Sequence, residues 1–479
     1  MKHFYQGFWK QARLKSNVTL QEQQKRVQKT LPESKGLLVY HGLGSGKTLS
    51  SLAATQGTST DVVVPASLRE NYRKEVKKYT EGHKPNIQSF EGYAKAPPKP
   101  KESLVIDEGH FLGNVGSKRT QAIMKQAPEY KQRMVLTGTP IRNSPEEIAP
   151  LMNIVRGGTF FPADPQAFAK QFIAEERVNP GIFNRIFRGA KPGVRYSIKN
   201  PNQFEQLVKG YVDYHAPSQE NFPSTSHEVV ETPMNDEQLK YYKFVMGKAS
   251  PALRWKIKMG LPPSKSEAKS LNSFLTGARQ VANSTKAFGG TKDSPKIMRA
   301  VDELKRRDKK DKNFKAVVYS NFLDSGVQAY ADQLEREKIP YAVFDGSLSD
   351  KKRKEVVDAY NSGKIKALLI SGAGAQGLDL KGTKLVQLLE PHWNNPRLEQ
   401  ATGRAIRYGS HEHLPIEDRH VHVQRFMSTV PKTFLQKITR GKQDTSVDQY
   451  LDMLSSEKER LNNQFLDILK KVGTHETET

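Results

Sequence analysis

The sequence predicts an α/β protein with two doubly wound parallel-sheet domains and a helical insertion between them. In each half of the 479-residue chain, short apolar runs of strand length alternate with helical segments, which is typical of βαβ units. A glycine-rich loop follows an early apolar run and leads directly into a helical segment. The chain is also too long for a single hydrophobic core, so we expect about two to four domains.

The composition favours a polyanionic partner. The chain carries 76 Lys and Arg against 51 Asp and Glu, a formal net charge of +25. No basic amphipathic helix stands out, so we expect nucleic acid rather than a membrane surface as the partner. Because the chain has no Cys, it has no disulfide, no Cys-ligated zinc and no catalytic thiol. No apolar run reaches the ~18 residues of a membrane span, and no paired-histidine spacing indicates zinc.

The glycine-rich stretch HGLGSGKT, residues 41–48, departs from the standard phosphate-loop pattern at its first position, where His41 stands for glycine. The strand-like run GLLVY precedes it, which is the context that such a loop requires. We expect the side chain of His41 to point away from the nucleotide. We expect the loop to bind ATP through Gly42, Gly44, Ser45, Gly46, Lys47 and Thr48, the last also as a Mg²⁺ ligand.

Two further strand-like runs in the first half end in polar motifs. SLVI at 103–106 is followed by Asp107 and Glu108, and the run at 133–136 is followed by TGTPIRN. Carboxylates at the carboxyl ends of parallel strands lie where such sheets bind ligands. We therefore expect Asp107 to hold Mg²⁺ and Glu108 to orient the attacking water.

The second half repeats the strand pattern without a phosphate loop. Its strand-like runs are AVVYS at 316–320, YAVFDG at 341–346, ALLIS at 367–371 and LVQLLE at 385–390. Between and after them stand SGAGAQGLDL at 371–380 and QATGRAIR at 400–407. Arginines three residues apart share one helix face, so Arg404 and Arg407 could project together into a facing cleft.

Taken in order, these motifs resemble those of the superfamily 2 helicases and translocases, from about residue 20 to about residue 430. LTGTPIRN at 136–143 and PASLRENYRKE at 65–75 resemble the Swi/Snf-type branch. GRAIRYGSH at 403–411, the LPIEDRHVHVQRF that follows it and the C-terminal tail resemble the viral nucleoside triphosphatase I group. Asp379 and Ala375 depart from the Swi/Snf-type pattern, which usually has Asn and Gly there, although other superfamily 2 members carry the Asp.

This resemblance implies two RecA-like lobes and a role for each motif. It implies that Gln24 contacts adenine and that Arg404 and Arg407, assisted by Gln400, are arginine fingers. An exposed helix position remains the alternative for Gln24, and surface salt bridges remain the alternative for the two arginines. The resemblance also assigns Gly377 and Asp379 to nucleotide binding, and His110, Thr137 and Thr139 to coupling hydrolysis with movement.

The same resemblance sets the expected domain boundaries. We predict an aromatic N-terminal segment at 1–18, a first lobe at 19–156, a helical insertion at 157–293 that belongs to neither sheet, a second lobe at 294–440 and a helical tail at 441–479. The N-terminal segment has Phe4 and Phe8 on one helix face. It either packs on the first lobe or docks to a polymerase or virion partner.

The insertion carries the strongest local charge bias. Between residues 240 and 292 the only acid is Glu267, against eleven Lys and Arg. We predict nucleic-acid contacts through Lys240, Lys243, Arg254, Lys256, Lys258, Lys265, Lys269 and Arg279, and through Trp393 by resemblance. Trp255 and Phe274 lie among these charges, where a core role is more common than base stacking. KRRDKKDK at 305–312 is expected to be a solvated loop, with contact to the nucleic-acid backbone as the alternative.

These features predict an ATP-dependent DNA translocase that uses Mg²⁺-ATP, with duplex DNA favoured by the subfamily resemblance. Two alternatives remain: a viral transcription-associated ATPase that acts with an RNA polymerase, and an RNA helicase. We expect a soluble intracellular protein, in the bacterial or host cytoplasm if it is viral, or packaged in a virion.

Overall fold

The computed structural model describes residues 13–42, 44–178, 193–216, 222–259, 261, 275–371, 378–391, 406, 409–438 and 443–474. The chain divides into two compact units. The first contains residues up to 174, residues 196–218 and residues from 459 onward, and the second contains 175–195 and 219–458. Each unit contains a six-stranded parallel sheet, which confirms the predicted fold class.

The sheet of the first unit has the strand order β10-β2-β7-β6-β3-β5. Its strands are β2 (Gly36–His41), β3 (Thr60–Val64), β5 (Asn86–Ser89), β6 (Ser103–Ile106), β7 (Gln132–Thr137) and β10 (Val212–His215). Outside this sheet, β1 (Arg13–Leu14) pairs with β4 (Thr80–Glu81), and β8 (Ile173–Val178) pairs with β9 (Gly193–Ile198). The helices of this unit are α1 (Glu22–Ser34), α2 (Lys47–Ala54), α3 (Arg69–Tyr79), α4 (Phe90–Lys95), α5 (Lys118–Gln126), α6 (Ile148–Arg156), α7 (Pro165–Phe172) and α8 (Pro201–Val208).

The central strands are buried on both faces. Leu38 and Ile106 face one apolar cluster, and Val39 and Val105 face the other. Successive side chains of a strand point to opposite faces, so a strand covered on both sides needs apolar residues at every position. This requirement explains why these strands are readable as continuous apolar runs.

Helix α6 approaches β2 too closely for any side chain at Gly36. A Cβ atom at this position would lie 1.9 Å from the carbonyl oxygen of Val155. That oxygen also accepts a hydrogen bond from Nε of Arg133, on the neighbouring strand β7, at 3.0 Å. The glycine therefore fixes how α6 covers the sheet next to the strand that leads into the phosphate loop.

The sheet of the second unit has the order β11-β16-β15-β12-β14-β13, again all parallel. Its strands are β11 (Ser224–Pro233), β12 (Ala316–Ser320), β13 (Tyr341–Phe344), β14 (Ala367–Ser371), β15 (Leu385–Leu388) and β16 (His420–Thr429). The helices are α9 (Asp236–Gly247), α10 (Pro251–Met259), α11 (Pro295–Asp308), α12 (Ala329–Arg336), α13 (Asp350–Asn361) and α14 (Phe434–Ile438). Residues 275–283 are also helical.

Two strands correct the expectation that residues 157–293 belong to neither sheet. β10 extends the first sheet beside β2, and β11 extends the second sheet beside β16. Both are edge strands, and β11 is mostly exposed. An edge strand with one open side does not need a continuous apolar run, so the sequence pattern concealed both.

A long C-terminal helix, α15 (Val447–Gly473), agrees with the helical tail expected from the sequence. Val447 and Tyr450 belong to the apolar cluster that α9 and α10 form in the second unit. Leu461, Phe465 and Leu469 belong to a core cluster of the first unit. Within the described residues, no helix is both long and apolar enough to cross a membrane.

Candidate active site

The phosphate loop joins the buried strand β2 to helix α2. Gly44 and Gly46 have φ of +79° and +73°, in the left-handed region that glycine adopts without strain. The hydroxyl of Ser45 donates to the carbonyl oxygen of Gly42 at 2.8 Å and closes the turn. The first backbone N–H groups of α2 have no partner within the helix, so this end of the helix can bind an anion.

Lys47 folds back over the loop that precedes it. Its Nζ donates to the carbonyl oxygens of His41 and Gly42, both at 3.2 Å. Burial lowers the pKa of Lys47, and the charges of Glu108 and Asp107 oppose that shift. A half-buried cation thus lies beside the helix end, and both attract phosphate oxygens.

The two predicted carboxylates follow β6 directly. Asp107 is buried, and its Oδ1 accepts the backbone N–H of Glu108 at 2.9 Å. Burial, followed by the nearby charge of Glu108, raises the pKa of Asp107 to about 6. Glu108 has a φ of +53°, which is uncommon for a residue with a side chain and turns the chain sharply at the strand end.

The residues assigned to coupling lie together at this strand end. Nδ1 of His110 is 3.2 Å from both Oε2 of Glu108 and the hydroxyl of Thr137. Thr137 in turn accepts the backbone N–H of Thr139 at 3.1 Å. Burial, with the positive charges of Arg142 and Lys47, lowers the pKa of His110 to about 3. The imidazole is therefore neutral at pH 7, and its Nδ1 lies within reach of both the carboxylate of Glu108 and the hydroxyl of Thr137.

Gln24 borders a cavity of about 270 Å³ beside the phosphate loop. The cavity is lined by Thr19, Gln21, Gln24, Gly44, Gly46, Thr48, Leu49, Glu75 and Tyr79. Gln24 is 3% exposed, and its Oε1 accepts the backbone N–H of Gln21 at 2.9 Å. Its amide nitrogen lies so close to Gly46 that a Cβ there would be 2.4 Å away. Gln24 is therefore not an exposed helix residue, because its amide lies against the loop.

Sequence reasoning missed one further contact and one polar network around this loop. Gln23, beside Gln24, donates to the carbonyl oxygen of Ser45 at 3.3 Å. His41 is fully buried, and its Nε2 lies 2.6 Å from a carboxylate oxygen of Asp213 on β10. The side chain of His41 therefore points toward β10. No local motif marks Asp213, which is 172 residues further along the chain.

Comparison with known proteins identifies the family. Residues 95–287 match the SNF2-related domain, and residues 295–409 match the helicase conserved C-terminal domain. The chain belongs to the superfamily 2 helicases of the Swi/Snf type. This Swi/Snf-type helicase is accordingly a nucleic-acid-dependent ATPase, and it lies near the viral nucleoside triphosphatase I group.

Two viral relatives and one solved structure are similar to this Swi/Snf-type helicase. A protein of Acanthamoeba polyphaga mimivirus, named provisionally as an ATP-dependent RNA helicase, is 29% identical, with 95% of this chain and 97% of that protein covered. A protein of African swine fever virus, named as a termination factor NPH-I homolog, is 24% identical, with 92% and 76% covered. The SWI2/SNF2 ATPase core of Sulfolobus solfataricus in complex with dsDNA is 18% identical, with 95% of this chain and 97% of that chain covered and a TM-score of 0.35.

The basic helices of the Swi/Snf-type helicase are largely exposed. Lys240 and Lys243 on α9, and Arg254 and Lys258 on α10, have exposed side chains, whereas Lys256 is half-buried. Lys258 also forms an ion pair of 3.2 Å with Asp444. The side chain of Arg279 makes contacts within the second unit. It donates to the carbonyl oxygen of Pro391 and lies over the ring of Phe322.

Two aromatic side chains lie exposed on the same basic helices. Phe244 on α9 is 67% exposed and Trp255 on α10 is 55% exposed. The core role expected for Trp255 is therefore wrong: the apolar cluster of this region takes Leu253 and Ile257 from α10 instead. Nζ of Lys248 lies 4.7 Å from the ring centre of Phe244, in cation–π contact.

Several predicted site residues lie outside the described part of the chain. They are Gly377, Trp393, Gln400, Arg404, Arg407, Lys265 and Lys269. Asp379 is described and exposed, and its backbone carbonyl oxygen accepts a hydrogen bond from the side chain of Asn361 at 2.9 Å. The assignments of these residues remain predictions from the motifs.

Proposed function

We propose that this Swi/Snf-type helicase is a translocase that hydrolyses Mg²⁺-ATP to move along duplex DNA. The observation that carries the proposal is the cavity that brings Gln24 and the phosphate loop together within one unit. A buried amide beside an anion-binding helix end suits a ligand with a base at one end and phosphates at the other. A nucleoside triphosphate has both parts.

The residues around this cavity divide the work of ATP hydrolysis. The backbone of Gly44 and Gly46 and the ammonium of Lys47 hold the phosphates, and Gln24 reads adenine. Glu108 orients the attacking water, because its carboxylate follows a strand end next to Lys47's loop. His110 contacts both Glu108 and Thr137, so a change in the position of Glu108 during hydrolysis can reach the end of the neighbouring strand β7.

The residues present fit a Mg²⁺ ion. Mg²⁺ prefers oxygen donors and usually takes one or two protein ligands together with the phosphates of its substrate. Asp107 offers a buried carboxylate and Thr48 a hydroxyl at the start of α2. Among the described residues, no group of three or more His, Cys, Asp or Glu is placed to hold a metal ion. When bound, Mg²⁺ neutralises charge that develops on the phosphate oxygens.

By the motif assignment, the second half of the chain supplies further positive charge to the γ-phosphate. Arg404 and Arg407, with Gln400, act on the γ-phosphate from the QATGRAIR segment, and Gly377 and Asp379 belong to the same motif set. An arginine that stabilises the transition state is worth on the order of 10³–10⁵ in rate. Hydrolysis then depends on residues of both halves of the chain, and this dependence couples ATP to movement.

Nucleic acid binds to the basic helices α9 and α10. Their exposed cations attract phosphates of any sequence, so binding is sequence-tolerant and sensitive to salt. Phe244 and Trp255 offer aromatic faces on which the bases of an unpaired strand stack. The exposed face of these helices thus combines the two kinds of contact that nucleic acids accept.

Relatives favour a second candidate function. The African swine fever virus relative is named a termination factor, so this chain could instead act as a transcription-associated ATPase with an RNA polymerase partner. The mimivirus relative is named for RNA, so RNA helicase activity is a further variant of the same reaction. All three functions use the same ATP site, and they differ in what stimulates it.

ATP turnover measured in parallel with duplex DNA, single-stranded DNA and RNA of equal length distinguishes these functions. We expect duplex DNA to stimulate turnover most. Stronger stimulation by RNA would replace the proposal with the RNA helicase. Turnover that appears only when an RNA polymerase is added would favour the transcription-associated ATPase. Failure to bind or hydrolyse ATP under every condition would contradict all three.

The salt dependence of DNA binding tests the basic helices. In Lys240→Ala/Lys243→Ala, the negative slope of log K against log salt should become less steep by about 2, because each phosphate contact contributes about −0.9 to it. Lys309→Ala/Lys310→Ala is the matched control, since it removes two exposed charges that directly follow α11; residues 305–308, expected to lie in a solvated loop, form the end of that helix. Phe244→Ala/Trp255→Ala should weaken the binding of single-stranded DNA and leave the slope unchanged. An unchanged slope in the first variant would place the DNA elsewhere.

A further inference from the structure

The residue that breaks the phosphate-loop pattern is anchored by a buried charge network. His41 stands where the pattern has glycine, its side chain is fully buried, and Nε2 lies 2.6 Å from Oδ1 of Asp213. Asp213 is fully buried on β10, the strand that pairs with β2 at the sheet edge. A glycine at this position would have no side chain to reach Asp213.

Arg26 completes the network from a third element. Its Nε donates to Oδ2 of Asp213 at 2.6 Å and its Nη2 to Oδ1 at 2.8 Å, a two-pronged geometry. The same Nη2 donates to the carbonyl oxygen of Tyr214 at 3.2 Å. Arg26 lies on α1, two residues after Gln24, so the network joins the helix of the proposed adenine contact to the end of β2 and to β10.

The charges within the network balance. Burial alone would raise the pKa of Asp213, but hydrogen bonds from His41 and Arg26 hold the pKa below its usual value, so the carboxylate is ionised. Burial also lowers the pKa of His41, which leaves it neutral at pH 7. A neutral imidazole that donates from Nε2 leaves Nδ1 without a proton. That atom is buried and has no hydrogen-bond partner among the described residues. Arg26 and Asp213 then form a neutral pair with His41 as an added donor.

The network also reaches the atoms that hold Lys47. The backbone N–H of Gly42 donates to the carbonyl oxygen of His215, two residues after Asp213, at 3.1 Å. The carbonyl oxygens of His41 and Gly42 are the two acceptors of Lys47 Nζ. The carbonyl groups that hold Lys47 thus belong to His41 and Gly42. His41 is held by Asp213, and Gly42 is hydrogen-bonded to β10.

We propose that Asp213 is a positioning residue for the ATP site, acting through His41 and Arg26 to hold the phosphate loop and the Gln24 helix in their binding geometry. This inference rests on the proposed ATP site. In this chain, the contact of His41 with Asp213 on β10 holds the start of the phosphate loop in place. Asp213 is fully buried and does not line the cavity, so its effect should appear in ATP affinity rather than in the chemical step.

The test measures ATP affinity, turnover and thermal stability of the full chain for three variants. Asp213→Asn and His41→Gly should each weaken ATP binding at least about tenfold, the size of loss that removing an outer-shell contact causes at metal sites, with kcat at saturating ATP within about twofold. His41→Gly is the sharper variant, because it restores the glycine of the standard pattern and should nevertheless bind ATP less well. Arg26→Lys keeps the charge and loses the two-pronged contact, so it should fold and give an intermediate loss.

Asp61→Asn is the matched control for general destabilisation. Asp61 is equally buried in the same sheet, on β3, and it accepts hydrogen bonds from Asn86, Lys101 and Tyr130. This variant should lower the melting temperature and leave ATP affinity unchanged. Wild-type affinity in His41→Gly, or an equal loss in Asp61→Asn, would overturn the inference. A wild-type chain that binds no ATP would instead contradict the proposed function.

Discussion

Replacing Glu108 with glutamine should abolish ATP turnover and leave ATP binding intact. Glutamine has nearly the same shape, but it cannot accept a proton from water or orient it by charge. Positioned bases of this kind contribute about 10²–10⁴ in rate. The side chain of Glu108 is 29% exposed and lies 3.2 Å from His110, so the substitution removes no core packing. Turnover should be measured at saturating ATP and DNA, and ATP binding by direct titration.

Two further variants serve as comparisons for Glu108→Gln. Lys47→Ala should lose ATP binding as well as turnover, because it removes the cation beside the phosphates while DNA retention stays largely intact. Glu102→Gln makes the same chemical change just before β6 begins, at the opposite end of that strand, where Glu102 pairs with Lys131 at 3.1 Å. It should turn over ATP like the wild type. Undiminished turnover in Glu108→Gln would refute the assignment of the catalytic carboxylate.

Replacing Arg404 with alanine should reduce turnover by at least ~10³, with little change in ATP affinity. An arginine finger acts on charge that develops in the transition state, so its loss appears in kcat. Arg404→Lys should recover only part of the rate, since an ammonium cannot bond two phosphate oxygens in the planar geometry of a guanidinium. Single-turnover kinetics at saturating ATP measure the chemical step directly.

Arg336→Ala is a suitable control for this variant. Arg336 also lies in the second unit, but on the surface, where it pairs with Asp293 at 2.8 Å. Exposed pairs of this kind contribute little to stability, so turnover should stay within about twofold of the wild type. A loss of less than tenfold in Arg404→Ala would show that this arginine serves structure, and the QATGRAIR segment would need another role.

The buried centre of each sheet could be predicted from the sequence, whereas the edges could not. β2, β6, β12 and β14 are covered on both faces, so each is a continuous run of apolar residues that no other element resembles. The edge strand β11 reads STSHEVVETP, with polar residues at most positions, because one side of it has no neighbouring strand. Its place in the sheet depends on pairing with β16, almost 200 residues further along the chain.

In the candidate site, likewise, residues within contiguous motifs could be predicted, whereas contacts between residues far apart in the chain could not. Phosphate-loop residues such as Lys47, and the pair Asp107 and Glu108, are predictable because each motif is contiguous and follows a strand. Asp213 carries no such signal, since its partners Arg26 and His41 are 187 and 172 residues away. The exposure of Trp255 could not be predicted either, because an aromatic residue on an amphipathic helix suits a core position equally well.

The path of the chain through the first unit has a consequence for its biosynthesis. Leu461, Phe465 and Leu469 complete a core whose other members come from the first half of the protein. Three fully buried apolar side chains contribute about 5–9 kcal/mol, as much as the entire net stability of many domains. A nascent chain on the ribosome therefore lacks a finished core in this unit until residues 461–469 emerge. A product that ends before this helix should therefore lack a stable ATPase.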